Sequence, residues 1–394
     1  MTTFPINPDI IPWACQHLNL SQAEFARALH VSEHIMESWR TGERKPSLRQ
    51  AKAMSERLLV PLGYLVMEEM PSLSLDASDF RTVGNHQVKN PSLELRATYN
   101  MALMRQAWYR DCALENEYQP CCCVGSISLH TPVQESIATI RNVLGEDKIR
   151  QNARMTWDKR FSALVEAIEE KAGIMVMRNS IVGNNSSRPL SVEEFRGFAI
   201  PDKYAPLIFI NGQDSKNAQL FTLLHEVVHI FLNRGGISGQ DYLVSSRNLV
   251  ERYCNRLAAE YLVPSEELRQ AWLVAPPKKQ TETTYEKIRR LAADFQVSPM
   301  VMIISCRSLG LIDSQEASEF WRYETEVIRT KKNTSRGGGN PYMNIANRIS
   351  RLFARSIIWQ AESMQIQFGD AFKLLTVKDH NAMQRLAEEV GMPS

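Results

Sequence analysis

Residues 221–233, FTLLHEVVHIFLN, contain His225-Glu226-Val227-Val228-His229, an H-E-x-x-H pattern. On a helix, positions four apart share a face, so both imidazoles can reach one divalent ion at ~2.0–2.1 Å. Glu226, one position round, stands beside the open side of such a site. There it can take a proton from water activated by the metal and pass it to a leaving amine. A catalytic zinc of this type needs a third protein ligand. The metzincin pattern would put Gly and His three and six residues after the second histidine; Leu232 and Gly235 stand there, so that class is excluded. Downstream, VERYCNRLAAEYLVP at 250–264 places Glu251 and Asn255 four apart on one helical face. Glu251 can supply the third ligand, and Asn255 can accept the other ring N–H of a ligating histidine. Read singly, Glu251 is also a solvated helix charge and the histidines a core-edge pair. Read together with the apolar Phe221, Leu224, Val228, Phe231 and Leu232 on the same helix, they make one zinc site per chain.

The strings PLIFINGQDSKNAQLFTLLHEVVHIFL and ERYCNRLAAEYLVP resemble the ImmA/IrrE family of bacterial and phage metallopeptidases over roughly 173–315. The shared features are a strand ending Ile-Asn, an F-T-x-x-H-E-x-x-H helix and an E-x-x-x-N-x-(F/L)-A-A-E-x-L-x-P helix. Leu257 and Val263 stand where Phe and Met are usual. The resemblance implies His225, His229 and Glu251 as zinc ligands, Glu226 as general base, and a small-sheet, zincin-like (gluzincin-type) α+β fold. The segment 284–312 resembles the family's helical tail. Tyr242, Tyr253, Tyr261 and Arg252 are near enough in sequence to be candidates for stabilising an oxyanion.

A second motif lies at the N-terminus. Residues 18–50 read as a helix from Ser21 to Leu29, a tight turn at His30-Val31 and a second helix from Ser32 to Arg40. Ser21 and Ser32 are in N-cap positions, and Glu24 completes a capping box. Ala26, Val31, Ile35 and Trp39 supply apolar contacts between the two helices. The stretch 12–66 resembles the Xre/Cro/C1 helix-turn-helix repressors, in its S-Q-x-x-F-A, its V-S turn and its W-x-x-G-x-x-x-P-S close. His30 replaces the usual turn glycine, and Arg40 the usual acidic residue after Trp39. The resemblance implies that the second helix enters the major groove, with Glu33, His34, Glu37 and Ser38 at base edges and Gln22, Arg40, Arg44 and Lys45 at phosphates. It also implies a homodimer on a double-stranded DNA operator.

The rest of the chain must position these two motifs. At 394 residues it predicts two or three domains. With 44% hydrophobic and 23% charged residues it is neither disordered nor fibrous. Its formal charge of +2 excludes a histone-like chain, so any nucleic-acid surface must be local. No run approaches ~20 apolar residues, and the N-terminal segment lacks the pattern of a signal peptide, so the expected location is the cytoplasm, with no membrane partner. Seven scattered cysteines without C-x-x-C spacing read as reduced thiols. The run Cys121-Cys122-Cys123 cannot turn all three sulfurs to one tetrahedral metal, and reads as structural.

The periodicities predict a multidomain, mainly α chain with one α+β domain. Residues 1–70 form a five-helix helix-turn-helix domain and 71–172 a helical connector, with helices at 92–116, 131–144 and 147–173. Residues 173–328 form the peptidase-like domain, with strands at 174–177 and 206–210, a helix at 218–233, and breaks at Gly235-Gly236 and Ala275-Pro276-Pro277. A Gly-rich linker spans 329–341 and a helical C-terminal segment 342–394. The expected function is a DNA-binding regulator fused to a zinc metalloendopeptidase that cleaves a repressor or antitoxin-like protein, in a phage, mobile-element or toxin–antitoxin setting. The alternative expectation is a non-hydrolytic repressor or antitoxin whose zinc domain senses a signal or holds a toxin.

Overall fold

The computed structural model describes residues 3–18, 20–58, 65–66, 91–145, 156–238, 248–274, 282–330 and 340–392. They divide into two compact units, one comprising the described residues up to 66 with 91–97, the other those from 98 onward. Pro71, Ala275-Pro276-Pro277, Tyr242 and residues 331–339 of the expected linker lie outside the described residues.

In the first unit, helices α1 (Ile10–Leu18), α2 (Gln22–Ala28), α3 (Glu33–Arg40) and α4 (Leu48–Leu58) enclose Ile10, Ile11, Phe25, Ala26, Met36, Trp39, Ala51, Met54 and Leu58. Where five helices were expected in this region, four α-helices occur among its described residues. The α2 start is fixed by a capping box: the Glu24 amide donates to Ser21 Oγ, and Glu24 accepts from the Ser21 amide. Ser32 caps α3 by accepting from the Ile35 amide. Between them His30 sits at φ 55°, the left-handed conformation that glycine supplies more easily.

The second unit is built on a four-stranded sheet in the order β1-β5-β4-β6, with β1 (Met175–Asn179), β4 (Gly197–Ile200), β5 (Leu207–Asn211) and β6 (Gly236–Ser238). β1 runs parallel to β5, while β4 is antiparallel to both β5 and β6. A separate hairpin pairs β2 (Ile181–Val182) with β3 (Asn185–Pro189) through Gly183 at φ 55°. The sequence reading found β1 and β5 by their apolar runs. Gly235-Gly236, expected as a break, instead leads into β6, which opens at Gly236.

Side chains alternate between the two faces of the sheet, as the strand period of two requires. Val176, Ala199, Ile208 and Ile210 join one core with the helices α6 (Val133–Leu144), α7 (Trp157–Ala172), α8 (Lys216–Phe231) and α9 (Leu249–Leu262). Phe198 and Phe209 stack at 5.0 Å, and Tyr99 of α5 (Leu93–Glu115) meets Phe198 edge-on at 5.0 Å. Further along α5, Gln106 Nε2 donates to the carbonyls of Ile200 and Ala205, both at 2.9 Å. The distance from His225 and His229 on α8 to Glu251 on α9 depends on this arrangement, because α8 lies on β4 and β5 while α9 packs on α8.

Helices α10 (Ser265–Leu273), α11 (Thr284–Asp294), α12 (Pro299–Ser308) and α13 (Ser314–Thr330) follow, and α12 also packs on α9. The chain ends in α14 (Pro341–Ile349), α15 (Arg351–Glu362), α16 (Phe368–Leu375) and α17 (His380–Glu389), with α14 and α15 packed on β1. From residue 98 onward the expected connector helices, and with them the C-terminal helices, therefore share one compact unit with the sheet.

The cysteine run is structural in this fold. Cys121 Sγ lies 3.5 Å from the Gly173 carbonyl and Cys123 Sγ 3.4 Å from the Ala172 carbonyl, so two thiols donate to the carbonyl end of α7. Burial pushes Cys121 up to about 11 and Cys123 up to about 12, which keeps both protonated as donors. Cys122, between them, points outward and is exposed.

Candidate metal centre and nucleic-acid interface

Helix α8 begins at Ser215, whose hydroxyl accepts from the Ala218 amide, and every residue from Gln219 to Phe231 is buried. A helix apolar all round belongs inside a fold, and that burial carries His225, Glu226 and His229 inward with it. All three are 0% exposed. Asn233 at φ 51° ends the helix, and the returning chain puts the Arg234 amide on the His229 carbonyl at 2.9 Å and the Arg234 carbonyl 3.2 Å from His229 Nδ1. A proton held on Nδ1 by that carbonyl leaves the Nε2 lone pair free to bind a cation.

The two Nε2 atoms are 3.0 Å apart. Glu251, in the first turn of α9, brings Oε1 to 3.0 Å from His229 Nε2 and Oε2 to 3.3 Å from His225 Nε2. The three side chains could hold a metal ion: one ligand atom from each lies within 4.8 Å of the others. They also fit one chemically. Two imidazole nitrogens face each other in a buried place beside a carboxylate, an arrangement that needs protons or a cation between the lone pairs. Burial opposes the charge on Glu251, but His225 and His229 outweigh it and hold the carboxyl well below its usual range. Burial would likewise lower His229, yet Cys254 and Glu251 raise it well above an ordinary imidazole.

Glu226 differs from Glu251 in its surroundings. Burial raises its pKa, an effect only partly offset by His225, His229 and the Ser238 hydroxyl. Both carboxylate oxygens and Ser238 Oγ are buried without an aligned hydrogen bond. A carboxyl raised in this way accepts a proton more readily at neutral pH, which is what a general base requires.

Glu226 also needs room, and the sequence reading missed its source. Gly197 at the start of β4 faces it and leaves space that no side chain could share. Ser238 and the Arg234 carbonyl carried no sequence signal either. Cys254, three residues after Glu251 and therefore on its side of the helix, could have been found by helical spacing. Asn255 is buried one turn beyond Glu251. Of the oxyanion candidates, Tyr253 donates to the Thr131 carbonyl and meets Ser136, Tyr261 lies under the Arg141 guanidinium, and Arg252 is exposed.

In the first unit, Glu33, His34, Arg44 and Lys45 are exposed, as contact with nucleic acid requires. Ser38 is not. It is 3% exposed and its hydroxyl donates to the Ile35 carbonyl at 2.8 Å, so its assignment to a base edge is corrected. The reason is helical phase: Ser38 lies three positions after Ile35, which packs against the core of the unit, so the two share the inward side of α3. Gln22, Glu37 and Arg40 form a network, with Gln22 Nε2 donating to Glu37 Oε2 at 2.7 Å and Arg40 Nε to the same oxygen at 2.8 Å. Glu37 thus meets Gln22 and Arg40 at the surface of α2 and α3.

Residues 169–306 match the family model Peptidase_M78, described as an IrrE N-terminal-like domain. The matched stretch contains the H-E-x-x-H helix, Glu251 and all six strands around them, the four of the main sheet and the two of the hairpin. No curated protein and no solved structure matches the chain. No helix among the described residues is long and apolar enough to cross a membrane.

Proposed function

We propose that this chain is a DNA-binding regulator fused to a zinc-dependent endopeptidase that cleaves a repressor or antitoxin-like protein. The observation that carries the hydrolytic reading is the convergence of His225, His229 and Glu251 beside a buried, base-like Glu226. Two imidazole nitrogens and one carboxylate are a donor set suited to zinc. When bound, zinc polarises the scissile carbonyl and activates water for attack. Glu226 takes the proton from the attacking water and returns it to the departing amine. The Arg234 carbonyl keeps His229 in the tautomer that presents Nε2. In this reading Glu33 and His34 enter the major groove and Arg44 and Lys45 meet phosphates, in a homodimer on an operator. Support for that part is the capped helix pair with its left-handed turn.

Glu226→Gln tests the hydrolytic reading, because it keeps size and hydrogen bonding while removing the base. Proteolysis of the partner protein should fall by ~10²-fold or more, with zinc content and operator binding unchanged. Unaltered cleavage would remove Glu226 from the mechanism. A wild-type chain that holds zinc yet cleaves no partner would favour the sensor or antitoxin role.

A further inference from the structure

The metal centre is closed by the chain's own backbone. β4 lies beside Glu226 through Gly197, and an extended peptide presenting an amide to Glu226 could pair with β4 as an added strand. That edge is already taken. β6 pairs antiparallel with β4 in the register Gly197↔Ser238, Phe198↔Ile237 and Ala199↔Gly236, and the Arg196 amide donates to the Ser238 carbonyl at 2.9 Å. Ser238 therefore sits opposite Gly197, where an added Cβ would lie 3.2 Å from Glu226 Oε1, and its buried hydroxyl approaches the carboxylate. Ile237 is 0% exposed, so the strand is anchored on the sheet as well as paired to it.

We propose that β6 is a self-bound strand occupying the peptide-docking edge of β4, and that an extended peptide docks antiparallel to β4 by displacing it. The proposal rests on the peptidase reading for its choice of partner. Three properties of β6 suit exchange. It is three residues long, it is a terminal strand of the sheet with β4 as its sheet partner, and its first residue, Gly236, adds no side chain to hold it. A short edge strand opens at less cost than the central strands. An incoming peptide replaces the same backbone hydrogen bonds, so the exchange costs little beyond ordering the peptide. Leaving β6 also withdraws Ser238 from Glu226.

The test locks the strand in place. Ala199 and Gly236 are cross-strand partners, and paired antiparallel residues have Cα atoms ~4.5–5.5 Å apart, within disulfide range. In the full chain, Ala199→Cys combined with Gly236→Cys gives a protein that can be compared oxidised and reduced, so that folding is controlled within one sequence. Two readouts are followed: extraction of bound zinc by a chelator, and cleavage of fluorescently labelled casein as an extended substrate. Oxidation should slow both by ~10-fold or more, and reduction should restore them. Equal rates in the two redox forms would overturn the proposal while leaving hydrolysis intact. Zinc extraction slowed by oxidation, with casein cleaved by neither form, would support β6 as the closing strand and count against the peptidase reading.

Discussion

Glu169 and Ser350, separated by 181 positions, meet in the interior: the Ser350 hydroxyl donates to Glu169 Oε1, and the amides of Val176 and Arg351 donate to the same oxygen at 3.2 and 3.1 Å. One carboxylate thereby ties α7, β1 and the start of α15 together. Ser350 adopts φ 76°, a conformation that costs a non-glycine residue ~1–3 kcal/mol, and the bond to Glu169 helps hold it there.

This junction makes stability depend on pH. Burial raises Glu169 to about 7 from 4.5, the bonds from Ser350 and Val176 and the charge of Arg351 offsetting it only in part. The folded state therefore holds a proton that the unfolded state has released over that range, so its contribution is full below about pH 4.5 and is lost as pH rises through about 7. Glu169→Gln should remove this slope. Denaturant titrations should show the variant gaining on the wild type as pH rises, by up to ~3 kcal/mol at pH 8. Parallel pH profiles would mean the carboxylate is not the titrating group.

Gly197→Ala should damage the site without touching a ligand. The new Cβ would stand 2.7 Å from Thr222 Cγ2, 2.8 Å from the Phe209 carbonyl and 3.2 Å from Glu226 Oε1. The Phe209 carbonyl is backbone in the neighbouring strand, so β4 must shift rather than a side chain rotate. A loss of ~1–3 kcal/mol is expected from such overpacking. Chemical denaturation measures it directly, and wild-type stability would disprove the close approach.

Removing the metal should leave the second unit folded. The candidate ligands come from α8 and α9, which pack on each other through apolar residues that need no ion. Chelation should lower Tm by several degrees, since zinc binding stabilises by mass action, while far-ultraviolet circular dichroism stays native. Replacing His225 and His229 by Ala should abolish zinc retention. Wholesale unfolding on chelation would instead make the site structural.

On the nucleic-acid side, His34→Ala should relax base preference, and Ser38→Ala should leave it unchanged because that side chain is internal. Changing Arg44 and Lys45 to Ala should weaken all sequences alike and lower the salt slope by ~1 per lost phosphate contact. Binding isotherms on matched and scrambled duplexes at several salt concentrations separate these effects. A shift in preference from Ser38→Ala would require α3 to be rotated.

The sequence alone was enough to pair His225 with His229 on one helix face and to place the helix caps, because each is a local rule. Helical spacing aligns His225 with His229, and Ser21 with Glu24 closes a capping box within four residues. It also made β1 and β5 legible as continuous apolar runs. Tertiary structure decided what depends on distant partners. Which face of α3 turns inward, and so removes Ser38 from the surface, is set by the packing of Ile35 and Trp39. Three residues opening on Gly236 become a strand only because β4 offers an unpaired edge. The enclosure of Glu226 by Gly197 and Ser238 joins segments whose sequences carry no mark of each other, since hydrogen bonds and burial act through space and leave no fixed spacing along the chain.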